Sequence, residues 1–137
     1  MTVGAGQACG RATHTRPWCY FGCDHPDIDD LHREELEAAE RAGAVSLRPT
    51  FSATPKDGAR FVQHRIAAEG GEIWTHLKAG GRVFVCGGGC RMAPAVREAF
   101  MTIYSAHTGA GAGDDEARAW PASLTMSGHY IEDVWAG

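Results

Sequence analysis

The chain has 137 residues, a length that suits one domain built around one core. Its apolar content of 44% is that of a soluble globular protein, and no run approaches the roughly eighteen apolar residues of a membrane span. A formal charge of −4 speaks against nucleic acid as a partner, although two or three clustered cations would still hold a phosphate. The N-terminus has no long apolar stretch of the secretory kind, so the expected setting is the cytoplasm.

In chain order, residues 1–16 are rich in Gly, Ala and Thr, lack periodicity, and read as a poorly ordered lead-in. Residues 17–137 then form the domain. Trp18-Cys19-Tyr20-Phe21 predicts a short aromatic strand that ends at Gly22-Cys23. Asp27, Asp29 and Asp30 place negative charge at a helix start, and Ile28, Leu31, Leu36 and Ala39 give that helix an apolar stripe up to a stop at Gly43. Val45, Leu47 and Phe51 alternate as in a strand.

Pro55, Asp57 and Gly58 mark 52–60 as a loop. Ile66, Ile73, Trp74 and Leu77 fit a helix face that Gly70 and Gly71 interrupt. Val83 and Val85 belong to a strand over 82–86, followed by a glycine turn and a helix with Met92, Val96, Phe100 and Ile103 on one side. Pro94 falls in its first turn, where proline is tolerated. A Gly/Ala linker at 109–113 precedes a last helix opened by Asp114-Asp115-Glu116, which Pro121 would kink or end early. His129 to Trp135 is the closing strand. The alternation of strands and helices predicts a parallel, twisted α/β sheet with helices on both faces.

The strand, glycine turn and helix start at 82–96 carry the chemistry. In an open α/β sheet this arrangement makes a crevice at the carboxyl end of the strand. Glycines admit close backbone approach, and helix N–H groups favour anions, so a nucleotide or another small polar ligand is expected. The cysteines are Cys9, Cys19, Cys23, Cys86 and Cys90. Their odd number suits reduced thiols. Two Cys-x-x-x-Cys pairs fall within zinc-ligand spacings, but Cys19 lies inside a strand and Cys86 ends another. Buried, inert thiols are therefore expected, with Cys86 as the exception, and no metal site is assigned.

Phe21-Gly22-Cys23, His25-Pro26-Asp27, Arg33-Glu34-Glu35-Leu36, Phe51-Ser52, Val62-Gln63-His64, Val85-Cys86-Gly87, Met92-Ala93-Pro94-Ala95-Val96 and Asp133-Val134-Trp135-Ala136-Gly137 occur in this order. Over residues 19–137 this pattern resembles the C-terminal NADP-binding portion of diflavin NADPH–haemoprotein reductases, of the bacterial type fused to a haem monooxygenase. The resemblance implies a ferredoxin–NADP reductase-like nucleotide-binding domain. It implies an oxidoreductase in which NADPH gives hydride to FAD, and electrons pass through FMN to the haem protein. FAD and FMN would belong to the full-length member, not to this chain, which would not be competent without an FAD domain.

By the same resemblance Cys86 lies beside nicotinamide and flavin, Asp133 orients and charge-balances hydride transfer, and Trp135 covers the flavin ring. Ser52, Phe61 and Gln63 belong to the adenosine phosphate region, and Gly87 and Met92 to the nucleotide turn. The departures cluster on the phosphates. Asp24 and Ala53 stand where the family has arginine, Ala59 where it has lysine, Phe61 where it has tyrosine, and Gly88 where it has aspartate. Losing two charge-assisted contacts corresponds to roughly two to four powers of ten in NADPH affinity. Arg60 and Lys56 are the candidate replacements. The family's first strand and Gly-rich turn are missing, and Gly4-Ala5-Gly6 has no strand before it. A sheet without that strand would expose an edge and an apolar face. Two alternatives stand beside the reductase reading. One is a non-catalytic fragment with weak or no nucleotide binding, and the other is a small metal or redox protein using the cysteines.

Overall fold

The computed structural model describes residues 16–109 and 114–136 and the backbone of 2–4. Most of the stretch read as a lead-in, with Cys9, Ala5 and Gly6, and most of the Gly/Ala linker lie outside the described residues. Strands β1 (Thr2–Gly4), β2 (Trp18–Cys23), β3 (Ser46–Phe51), β4 (Arg82–Gly88) and β5 (Tyr130–Trp135) form one sheet in the order β3-β2-β1-β4-β5. β2 runs parallel to β3, and β4 parallel to β5, each over six residues. This is the α/β fold that the alternation predicts.

The central place holds something the sequence did not suggest. β1 is three residues long and antiparallel to both neighbours. It pairs with Trp18 and Cys19 on one side and with Arg82, Val83 and Phe84 on the other. Only the entry ends of β2 and β4 are therefore bridged. Their carboxyl ends, Tyr20–Cys23 and Val85–Gly88, flank a cleft.

Helices α1 (Arg33–Arg41), α2 (Val62–Ala68), α3 (Gly70–Lys78), α4 (Met92–Thr108) and α5 (Asp114–Met126) connect the strands. α2 to α5 pack on one another along one face of the sheet, whereas α1 packs against β3. The core lies under the four-helix face. Trp18, Tyr20, Val83, Val85 and Tyr130 from the sheet meet Ile66, Ile73, Val96, Phe100 and Ile103 from the helices. The opposite face leaves Phe84 46%, Ile131 41% and Trp135 59% exposed.

Three helical expectations need correction. The first helix starts at Arg33, not near Asp27, and Ile28 and Leu31 are exposed rather than part of a buried stripe. Asp29 accepts the His25 N–H at 3.0 Å, and this local bond closes turns that compete with helix. The interrupted helix is two helices meeting at Glu69. A Cβ at Gly70 would lie 2.9 Å from Ile103, so glycine lets α3 start close against α4. Pro121 does not end α5, which continues to Met126. Pro121 is buried, and Trp120 beside it packs on Trp74, Tyr104 and Phe100, which holds the helix on its neighbours.

Tyr20 and Tyr130 are buried, and burial pushes both phenols above their ordinary range. The hydrogen bond to Glu69 adds to this for Tyr20, and the charge of Glu132 for Tyr130. A phenol whose folded value lies above its unfolded value of about 10 stabilises fully below that pH and loses the contribution as pH rises past it. Stability should therefore fall above about pH 10. A pH titration followed by phenolate absorbance and circular dichroism checks this: these two phenolates should form only as the dichroism is lost. Their complete ionisation with unchanged dichroism would contradict it.

Candidate functional site

A cavity of about 650 Å³ opens at the carboxyl ends of β2 and β4, above the place where β1 stops short. Strand order reverses there, and such switch points bind ligands in open α/β sheets. Ser52, Arg60, Phe61, Gln63, Cys86, Gly87, Met92 and Trp135 all line it. Every site residue anticipated from the sequence is thus gathered here except Asp133. Asp133 pairs in register with Cys86 on β5 and is exposed outside the cavity wall.

Local folding explains each wall. On the β4 side, Gly87 has φ +152°, and a Cβ there would lie 2.4 Å from Met92 Cε and 2.6 Å from its Sδ. Glycine therefore admits the methionine that forms this side of the cavity. The turn closes when Gly89 N–H donates to the Trp135 carbonyl at 2.8 Å, which ties the glycine turn to the end of β5. α4 then begins, with Arg91 before its first residue.

On the β2 and β3 side, the register Cys23↔Phe51 is continued by the next residues, Asp24 and Ser52. Ser52 Oγ donates to Asp24 Oδ1. Lys56 to Ala59 form a tight turn, with φ 52° at Asp57 and 77° at Gly58, closed by Ala59 N–H to the Lys56 carbonyl at 2.9 Å. The chain returns at Arg60 and Phe61, whose N–H groups both donate to His64 Nδ1 at 3.2 Å. His64 thereby fixes the two residues that enter the cavity wall. A Cβ at Gly22 would sit 3.1 Å from Val62 Cγ1, so glycine also brings α2 against β2.

Below the cavity, Tyr20 Oη donates to Glu69 Oε2 at 2.5 Å. Arg48 and Arg65 reach the other oxygen of Glu69 at 3.3 and 3.1 Å. This network anchors β2, β3 and α2 together. Arg60 and Arg91 line the cavity and, among the described residues, neither joins an ion pair. A cavity of this volume is ordinary for a small ligand or cofactor, and two cations outside any described ion pair, Arg60 resting over the Phe61 ring, suit an anion. The sequence reading missed Tyr20, Thr50 and Arg91, which also line it. Arg91 had a signal in its place between the glycine turn and α4. Tyr20 and Thr50 sit inside strands and carried none.

The thiols depart from expectation. Cys86 and Cys90 are exposed, and Cys19 and Cys23 are half-buried, so none of the four is inert by burial. Partial burial, then the charges of Asp30, Asp29 and Asp24, push the Cys23 thiol up. A second cavity, of about 710 Å³, lies between α4, α5 and β5 and is lined by Arg97, Arg118, Met126 and Tyr130 among others. No helix of the described residues is long and apolar enough to cross a membrane.

No family model matches the chain. Individual relatives do. Bifunctional cytochrome P450/NADPH–P450 reductase 2 of Bacillus subtilis is 36% identical over 118 residues, which is 86% of this chain and 11% of that protein. The chain is a relative of the NADPH–P450 reductases. Reductase 1 of the same organism is 40% identical over 118 residues, again 86% of the chain and 11% of the relative. NADPH oxidoreductase A of Dictyostelium discoideum is 32% identical over 116 residues, 85% of the chain and 18% of the relative. The chain thus spans about a tenth to a fifth of the length of these relatives.

Proposed function

We propose that this chain is the nucleotide-binding part of an oxidoreductase, and that the cavity takes a nicotinamide dinucleotide, the class of NADPH. The observation that supports this most is the convergence of residues from five separate stretches on one crevice at the switch point of the sheet. A bound dinucleotide would supply a hydride. Arg60 and Arg91 would hold its phosphates, and the glycine turn at Gly87 would let its backbone approach closely. Cys86 and Trp135 would border the nicotinamide end, with Asp133 nearby to balance positive charge on the ring. FAD would be held outside this chain, against the face that carries Cys86, Asp133 and Trp135. FMN would follow as electron carrier and a haem monooxygenase as acceptor, the latter in keeping with relatives whose names join a P450 to its reductase.

Calorimetric titration of the purified chain with NADH and with NADPH tests the reading. Saturable heat is expected from at least one of them, and no heat from either at millimolar ligand would refute it. Gly87→Ala adds a specific check. The new Cβ collides with the tip of Met92, which lines the cavity, and strains the backbone at φ +152°, so affinity should fall about tenfold or more, with dichroism confirming that the variant folds. Adding Met92→Ala to that variant removes the clash but not the backbone strain at φ +152°, so it should restore only part of the loss. Unchanged affinity in Gly87→Ala would place the ligand elsewhere.

A further inference from the structure

Asp24 and Ser52 form a part of the cavity wall in which one side chain hydrogen-bonds another and the sense of the bond is defined. They stand side by side because parallel register carries β2 and β3 to the same level, Cys23 against Phe51, one residue before each. Ala53 N–H donates to the Asp24 carbonyl at 3.1 Å and Ser52 N–H to the Cys23 carbonyl at 3.0 Å, so the two loops leave the sheet together. The single hydrogen between the two side chains belongs to Ser52, since a carboxylate only accepts. Once Ser52 has given that hydrogen to Asp24, both groups offer only lone pairs to a ligand. Phosphate oxygens are also acceptors and carry negative charge. Ribose hydroxyls are donors.

We infer that the Asp24–Ser52 pair makes this site select a nicotinamide dinucleotide with free adenosine ribose hydroxyls, NADH, over its 2′-phosphorylated counterpart, NADPH. This rests on the cavity being the dinucleotide site. In α/β folds that bind NAD, a carboxylate is the group that hydrogen-bonds the ribose 2′-hydroxyl. A phosphomonoester set against the same carboxylate would meet like charge and no donor. Arg60 lines the same cavity and is the cation that opposes this preference, and Lys56 is exposed on the neighbouring turn. Neither is paired with Asp24 among the described residues, whereas Ser52 is.

The test is direct titration of the full chain with NADH and NADPH, repeated on Asp24→Asn, Asp24→Arg and Ser52→Ala. NADH should bind the parent about tenfold more tightly than NADPH or better. Asp24→Asn should narrow that ratio, and Asp24→Arg should invert it by gaining NADPH. Ser52→Ala should weaken NADH more than NADPH. Dichroism spectra identify any variant that fails to fold, and Asp24→Asn, nearly isosteric at an exposed position, keeps the test alive if the arginine does not. Equal or tighter NADPH binding by the parent would overturn the inference and leave the dinucleotide site standing. Binding of neither nucleotide would overturn both.

Discussion

Phe100→Ala is expected to lower the unfolding free energy by about 3–5 kcal/mol, measured by urea denaturation. Phe100 is fully buried on α4. Its ring meets Tyr130 edge-on at 5.5 Å and Trp120 at 6.3 Å, so one side chain joins α4 to both α5 and β5. Truncation removes its transfer energy and leaves a cavity that three separate elements would have to move together to fill. Small domains have only about 5–15 kcal/mol in total, so the variant should sit near the limit of folding. Phe100→Leu keeps most of the volume and should cost about 1–2 kcal/mol. A loss under about 1 kcal/mol for the alanine variant would mean that α4 does not pack on the sheet as described.

Glu69→Ala should rank next, at about 2–4 kcal/mol. The Glu69 side chain is 19% exposed and takes hydrogen bonds from Tyr20, Arg48 and Arg65. Its removal leaves two guanidinium groups close together without the charge between them. The upper end for a broken buried pair is about 3–5 kcal/mol, and the residual exposure of these groups lowers it. Glu69→Gln keeps an acceptor and should cost less. Because Tyr20 also lines the cavity, the alanine variant should weaken nucleotide binding as well as folding. If Glu69→Ala and Glu69→Gln both melted like the parent, the network would not be holding β2, β3 and α2 together.

How far this molecule could be read from its residues depended on the range of the forces involved. Val83 and Val85 alternate with exposed neighbours, and Gly87 interrupts a strand just before a helix, so β4, its turn and α4 were visible locally. The Gly43 stop was equally local, with φ 77° observed. β1 was not visible, because three residues carry no periodicity and their place depends wholly on a gap between β2 and β4. The start of α1 was misplaced because the Asp29 side chain satisfies backbone that a helix would otherwise use. Pro121 showed the reverse, with aromatic packing outweighing a local penalty of about 3 kcal/mol.

The site divides the same way. Residues within one turn, such as Cys86, Gly87 and Met92, were legible from spacing. Ser52, Phe61 and Gln63 came through the family pattern. The link between Asp24 and Ser52 was not legible, since it follows from strand register across 28 positions of separation. Asp24 stood out only as an acid where the family has arginine. Its contact with Ser52 turns that difference into a statement about which ligand group the wall can face.

Amide chemical-shift mapping of the labelled chain during titration with NADH, and separately with NADPH, tests the central claim most directly. Binding at the switch point should shift Asp24, Ser52, the segment from Arg60 to Gln63, the segment from Cys86 to Met92, and Trp135, while leaving most of α5 unmoved. Shifts confined to the groove of Arg97, Arg118 and Met126, or no shifts at millimolar nucleotide, would contradict it.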